Sequence, residues 1–167
     1  SATSQPGGSV YVDDTTSVNR IFSSRLSYNK GAYVLHMLRG VIGDDAFFTA
    51  CRNYLDGAGT AYDFATTDDL KNYMEEESVK NVNDFIADWF YGQGYPSYDL
   101  TWTQQADSLV FWLGQRQSHL SVSFFEMPVP VSVKVNEDFT TFILDHNYQN
   151  QRFAYYVGNA SIDSVNI

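Results

Sequence analysis

The strongest constraint on the fold is a change in the spacing of apolar residues at Pro96. In the stretch before this proline, apolar residues recur at intervals of three and four, which is typical of amphipathic helices. After it they alternate with polar residues, which is typical of half-buried strands. We therefore predict an α+β chain with an extended arm or loop over 1–19, a helical cluster over 20–95 and a small antiparallel β-sandwich-type domain over 96–167.

Four helices are predicted in the helical part. The first carries one apolar stripe, made of Gly31, Leu35, Leu38 and Ile42 and flanked by Val34 and Val41. The second opens at Asp44-Asp45, where acidic side chains suit the positive end of the helix dipole. The third starts with Thr66 or Thr67 as its N-cap, and Thr66 with Asp69 three residues further on resembles a capping box. The fourth covers about 82–91, and the short loops between the helices favour an antiparallel-type cluster.

Six or so short strands are predicted after Pro96, separated by turn residues such as Asn136-Glu137-Asp138. Short strands at this spacing favour an antiparallel sandwich or half-sandwich. Pro128 and Pro130 have no N–H to donate to a neighbouring strand. We therefore expect their strand to begin at an edge or a bulge.

The charge of the chain excludes some partners. Ten basic residues against twenty acidic ones give a net charge of −10, and such a surface repels nucleic-acid phosphates. No apolar run approaches the eighteen or so residues of a membrane helix, so we expect no membrane span. The start of the chain lacks both an initiator Met and the pattern of a signal peptide. We expect a processed product or a piece of something longer.

No self-contained active site is visible in the residue pattern. The histidines are not spaced to place two imidazoles on one helix face, and the chain has a single cysteine, Cys51. No helical zinc site can therefore be built locally, although a site assembled from distant parts of the fold stays open. We expect His36, His119 and His146 to be core-edge or surface residues and Cys51 to be a buried small hydrophobe. Neither a nucleophile elbow nor a phosphate-binding loop occurs.

A more specific signal begins at Tyr28-Asn29-Lys30-Gly31-Ala32 and continues through Thr66-Thr67-Asp68-Asp69 to Gly94-Tyr95-Pro96. The order and spacing of these segments resemble the zinc aminopeptidases of the aminopeptidase N family, which are gluzincins, over roughly residues 20–100. The matching region lies downstream of the zinc site in that family. The resemblance implies that the helical part is the C-terminal lobe of a thermolysin-like catalytic domain. The β part is more loosely similar to the β-sandwich that follows this domain in many members.

The resemblance assigns a catalytic role to Tyr28. In the family, the tyrosine before the Lys-Gly of this stretch hydrogen-bonds the oxyanion of the tetrahedral intermediate. Without the resemblance, Tyr28 would be interpreted as an aromatic residue at a helix start that packs on its neighbours. Lys30 and Arg25 are interpreted as structural residues.

The other machinery of the family does not occur in this sequence. It comprises a His-Glu-x-x-His helix and a downstream glutamate, which bind zinc and supply the general base, and a Gly-x-Met-Glu-Asn strand that captures the substrate's amine. The resemblance thus implies the C-terminal portion of a zinc aminopeptidase, inactive alone and with no cofactor of its own, the zinc belonging to the intact parent enzyme. It implies two partners, a peptide substrate bound through the intact enzyme and the missing N-terminal catalytic half. The compartment it suggests is that of an exported or periplasmic bacterial protein.

Two other classes of function stay open. One is a non-catalytic protein- or glycan-binding module made of a helical bundle and a β-sandwich. The other is a regulatory or scaffold remnant that lost its zinc-binding half. The exposure of Tyr28 bears on the choice, because a buried tyrosine with its O–H bonded internally favours the binding module.

Overall fold

The fold is described from a computed structural model that covers residues 1–136 and 138–167. Glu137, the middle residue of one predicted turn, lies outside these described residues. The chain divides into two compact units, Ser1–Gly94 and Tyr95–Ile167. We call them the helical unit and the β unit. No helix among the described residues is long and apolar enough to cross a membrane.

The helical unit consists of short helices. In chain order they are a 3-10 turn at Ala2–Ser4, α1 (Val18–Ile21), a first π-helix at Ser24–Lys30, α2 (Gly31–Ile42), α3 (Asp44–Asp56), α4 (Thr67–Ser78), α5 (Asn83–Phe85) and a second π-helix at Ile86–Tyr91. The predicted fourth helix is therefore composite, an α turn followed by a π turn.

The buried face of α2 differs from the predicted stripe. Val34, Leu38 and Ile42 are buried, whereas Leu35 is 42% exposed. The buried residues are spaced by four, and the same spacing extends back to Lys30, which is also buried. Leu35 follows Val34 by one position, about 100° around the helix, and so faces away from this stripe.

Local capping signals explain where α3 and α4 begin. Asp44 and Asp45 occupy the first turn of α3, as predicted. The capping box of α4 is confirmed, since the backbone N–H of Asp69 donates to Thr66 Oγ1 over 3.2 Å and the N–H of Thr66 donates to Asp69 Oδ2 over 2.8 Å. Cys51 is only partly buried, because the residue of α3 that faces the interior is its neighbour Ala50.

The β unit consists of two three-stranded antiparallel sheets. Its strands are β1 (Pro96–Gln105), β2 (Ser108–Gln117), β3 (Met127–Val135), β4 (Asp138–His146), β5 (Gln151–Tyr156) and β6 (Ile162–Asn166). One sheet has the order β1-β2-β5 and the other the order β4-β3-β6. The apolar residues at alternate positions form one buried cluster, made of Leu109, Phe111, Leu113, Val129, Val131, Val133 and Leu144.

The two prolines of β3 lie where the strand has a single neighbour. β3 is the central strand of its sheet, but β6 pairs with it only from Ser132 onward. Pro128 and Pro130 are opposite β4 alone, so the missing N–H groups leave no gap in a second ladder. The expected edge is thus a local one, confined to the first half of a central strand.

His146, at the end of β4, is fully buried, so its expected place at the core edge or surface is wrong. Its Nδ1 lies 3.3 Å from Nε2 of Gln115, and the aromatic rings of Tyr98 and Phe124 lie beside the imidazole. The amide of Gln115 also bonds both backbone groups of Phe125. Burial lowers the pKa of His146, so the neutral imidazole is favoured.

Candidate functional site

Tyr28 lies within the first π-helix instead of immediately before a helix. Its backbone N–H donates to the carbonyl of Ser23, five residues earlier, over 3.2 Å. The side chain is 57% exposed. Among residues 1–136 and 138–167, no group hydrogen-bonds the phenol oxygen. The hydroxyl is therefore available to an external acceptor.

The N-terminal arm packs against the second π-helix of the same unit. The N–H groups of Val10 and Tyr11 both donate to the carbonyl of Phe90 over 3.1 Å. The ring of Tyr11 also packs against Tyr91, with 5.2 Å between the ring centroids. The arm is therefore packed against the helices of its own unit.

Arg20 holds the other end of the arm. Its Nε donates to the carboxylate of Asp13 over 2.6 Å, and its Nη2 donates to the carbonyls of Ser9 and Tyr11. A hydrogen bond from Arg20 holds the pKa of Asp13 below its ordinary value. The arm and α1 are therefore tied together by one guanidinium.

Lys30 connects the arm to the second π-helix. Its Nζ donates to the carbonyl of Gly92 over 3.0 Å and to that of Gly8 over 3.2 Å, and the side chain is 8% exposed. Burial, together with the positive charge of Arg25, lowers the pKa of Lys30 to about 8. Arg25 Nη1 donates to the carbonyl of Gln5 over 3.2 Å, so both residues bond backbone carbonyls of the helical unit.

The sequence carried a signal for this buried lysine that our interpretation missed. Lys30 precedes Val34, Leu38 and Ile42 at intervals of four, which places it on the buried stripe of the helix. Its partners could not be predicted, because Gly8 and Gly92 are 22 and 62 residues away along the chain.

The described residues do not form a zinc site. They contain no group of three or more His, Cys, Asp or Glu side chains that could hold a metal ion. His36 is exposed on α2, His119 accepts a hydrogen bond from the backbone of Ser121, and His146 is buried in the β unit. These residues therefore do not provide the set of ligands that the zinc ion of a peptidase needs.

Parts of this chain are similar in sequence to aminopeptidases. Residues of this chain are 38% identical over 87 positions to aminopeptidase M1-B of Oryza sativa subsp. japonica, covering 52% of this chain and 10% of that protein. They are 35% identical over 79 positions to aminopeptidase N of Lactococcus lactis subsp. lactis, covering 47% and 9%. Identity to probable aminopeptidase 1 of Saccharolobus solfataricus is 25% over 138 positions, covering 81% and 17%.

The particular family follows from the match to the peptidase family M1 domain. That match covers residues 1–89, which is more than half of the chain. The chain therefore belongs to peptidase family M1, as the residue pattern around Tyr28 had indicated. It spans from 9% to 17% of the length of the relatives named above.

The fold has a solved counterpart. The crystal structure of Legionella pneumophila aminopeptidase A in complex with aspartic acid superposes on 96% of this chain and 18% of that chain, with a TM-score of 0.72. Sequence identity is 16%, so this likeness shows the fold alone. It supports the predicted α+β fold.

Proposed function

We propose that this chain is the C-terminal portion of a zinc-dependent aminopeptidase that removes N-terminal residues from peptides. The helical unit is then the C-terminal lobe of a thermolysin-like catalytic domain, and the β unit is the sandwich that follows it. Family membership and the fold likeness support this proposal. In this proposal the catalytic-domain lobe covers residues 20–95 and the sandwich covers residues 96–167, as predicted from the sequence.

We propose that Tyr28 stabilises the oxyanion of the tetrahedral intermediate. The observation that supports this role is the exposed phenol without a hydrogen-bond partner among the described residues. As negative charge develops on the carbonyl oxygen of the substrate, the phenol O–H donates a hydrogen bond to it. A donor held in place before the reaction is worth about 3 kcal/mol of the barrier.

The zinc, the general base and the group that binds the substrate's amine belong, in this proposal, to the remainder of the enzyme. Tyr28 supplies a donor and no nucleophile, so the 167-residue chain should be inactive alone. The assay is hydrolysis of a fluorogenic aminoacyl substrate with zinc added. Turnover that a chelator abolishes would overturn the proposed inactivity.

A chimera tests Tyr28 itself. Residues 1–89 of this chain, which match the peptidase family M1 domain, replace the corresponding stretch of Lactococcus lactis aminopeptidase N, and hydrolysis of aminoacyl substrates is measured. Tyr28→Phe is expected to lower kcat by roughly 100-fold or more with little change in KM. Tyr33→Phe is the matched control, because that tyrosine is also exposed, at 62%, and lies on α2. Equal kcat for the two variants would contradict the role of Tyr28.

A further inference from the structure

Lys30 ends the π-helix that carries Tyr28, and its ammonium lies where a charge is costly. No carboxylate among the described residues forms an ion pair with it. Its hydrogen bonds go instead to the carbonyls of Gly92 and Gly8. Because an apolar side chain of similar shape would fill a buried position at less cost, packing alone does not account for a lysine here.

The two carbonyls belong to separate segments of the helical unit. Gly92 follows the second π-helix, and Gly8 lies in the arm, where its N–H donates to Gln93 Oε1 over 2.8 Å. Gly8 has a φ of +99°, and a Cβ there would lie 2.6 Å from Cδ1 of Leu26. The arm therefore passes directly over the first π-helix. Lys30 joins three segments at this crossing.

The direction of the Tyr28 side chain depends on the π turn. A π-helix is rare and persists where its surroundings hold it. If the first π-helix reverted to an ordinary α-helix, the residues at its start would rotate relative to α2 by roughly 100°, which is the rotation per residue in an α-helix. Tyr28 lies inside this π-helix, with its N–H bonded to the carbonyl of Ser23, so the direction of its phenol would change as well.

We propose that Lys30 is a positioning residue for Tyr28. Its bonds to the carbonyls of Gly8 and Gly92 hold the first π-helix in the turn that directs the phenol outward. The inference that this direction of the phenol matters for catalysis rests on the proposed function. The inference that Lys30 holds the π-helix in place does not depend on it.

NMR on the 167-residue chain, with isotope-labelled tyrosine, tests the geometric claim. Tyr28→Phe identifies the ring signals of Tyr28. Lys30→Met keeps an unbranched stem and removes both hydrogen bonds, so it is expected to shift the ring signals of Tyr28. Amide exchange at Val10, which is bonded to the second π-helix, should become about tenfold faster. Lys80→Met is the matched control, since Lys80 also donates to a backbone carbonyl of the helical unit.

Unchanged Tyr28 signals in the Lys30→Met chain overturn the inference, and so does an equal shift in the Lys80→Met chain. If Lys30→Met does not fold, a chain lacking residues 1–8 removes the Gly8 carbonyl and leaves the lysine in place. The same shift of the Tyr28 signals in that chain supports the inference, and its absence overturns it.

The catalytic consequence is measured in the chimera described above. Lys30→Met should lower kcat with little change in KM, and it should cause no further loss when Tyr28 is already Phe. Losses that multiply in the double variant overturn the positioning role. If Tyr28→Phe leaves kcat unchanged, the proposed function fails while the NMR result on Lys30 still stands, so the two failures are distinguishable.

Discussion

The buried ammonium of Lys30 makes the stability of the helical unit depend on pH in a specific way. The pKa of Lys30 is about 8 in the folded chain, against an ordinary value of 10.5. Between these two values the unfolded chain binds more protons at this position than the folded chain does. The free energy of unfolding therefore rises with pH in this window. A difference of about 2.5 between the two pKa values corresponds to about 3 kcal/mol.

Comparison with Lys30→Met isolates this contribution. Other groups titrate in the same range, but they do so in both proteins, and their effects cancel in the difference between the two free energies of unfolding. That difference, wild type minus variant, is expected to rise by about 3 kcal/mol between roughly pH 8 and 10.5. The sign is opposite to that of a lysine stabilised by an ion pair.

Urea unfolding followed by far-UV circular dichroism is the appropriate assay, because every helix of the described residues lies in the helical unit. The series is run at several pH values for the wild type, Lys30→Met and Lys80→Met. Lys80 also donates to a backbone carbonyl, that of Val41, but from an exposed position, so its variant controls for the loss of such a hydrogen bond. A flat difference for Lys30→Met would refute the reasoning, because it would mean that the ammonium is solvated in solution.

Two further predictions concern local features of each unit. Thr66→Ala removes the capping box of α4 and is expected to lower the free energy of unfolding by about 1 kcal/mol in the same urea assay, whereas Thr67→Ala, inside the helix, should cost less. His146 is favoured in its neutral form, so the unfolded chain binds more protons at this position as the pH falls below the ordinary value of 6.5. The β unit should therefore lose stability on acidification, which is measured as faster amide exchange in β4. If the His146→Gln variant shows the same dependence of exchange on acid pH as the wild type, the prediction is contradicted.

Features encoded by neighbouring residues could be predicted from the sequence. The start of α3 depends on Asp44 and Asp45, and the start of α4 depends on Thr66 and Asp69, which are three positions apart. The alternation after Pro96 likewise indicated strands. In each case the interaction that fixes the element lies within one turn or one strand, so residue type and spacing suffice.

Features that depend on distant partners could not be predicted. The burial of His146 depends on its position beside Gln115, 31 residues earlier in the chain. A π turn differs from an α turn by one residue in the register of its hydrogen bonds. The spacing of apolar residues does not distinguish the two. The family resemblance identified Tyr28 as the candidate catalytic residue, whereas its place inside a π-helix required the structure.

The two π-helices of the helical unit coincide with segments that Lys30 joins. The first π-helix ends at Lys30 itself, and the second is followed at once by Gly92, which accepts one of its hydrogen bonds. A π-helix is a rare alternative to the α-helix, although both satisfy their backbone groups with internal hydrogen bonds. Tertiary contacts can favour the rarer form, and here one such contact is a charged group that is costly to bury. Irregular geometry maintained at a cost is expected where function requires a particular direction of a side chain, and Tyr28 is the exposed aromatic residue of that turn.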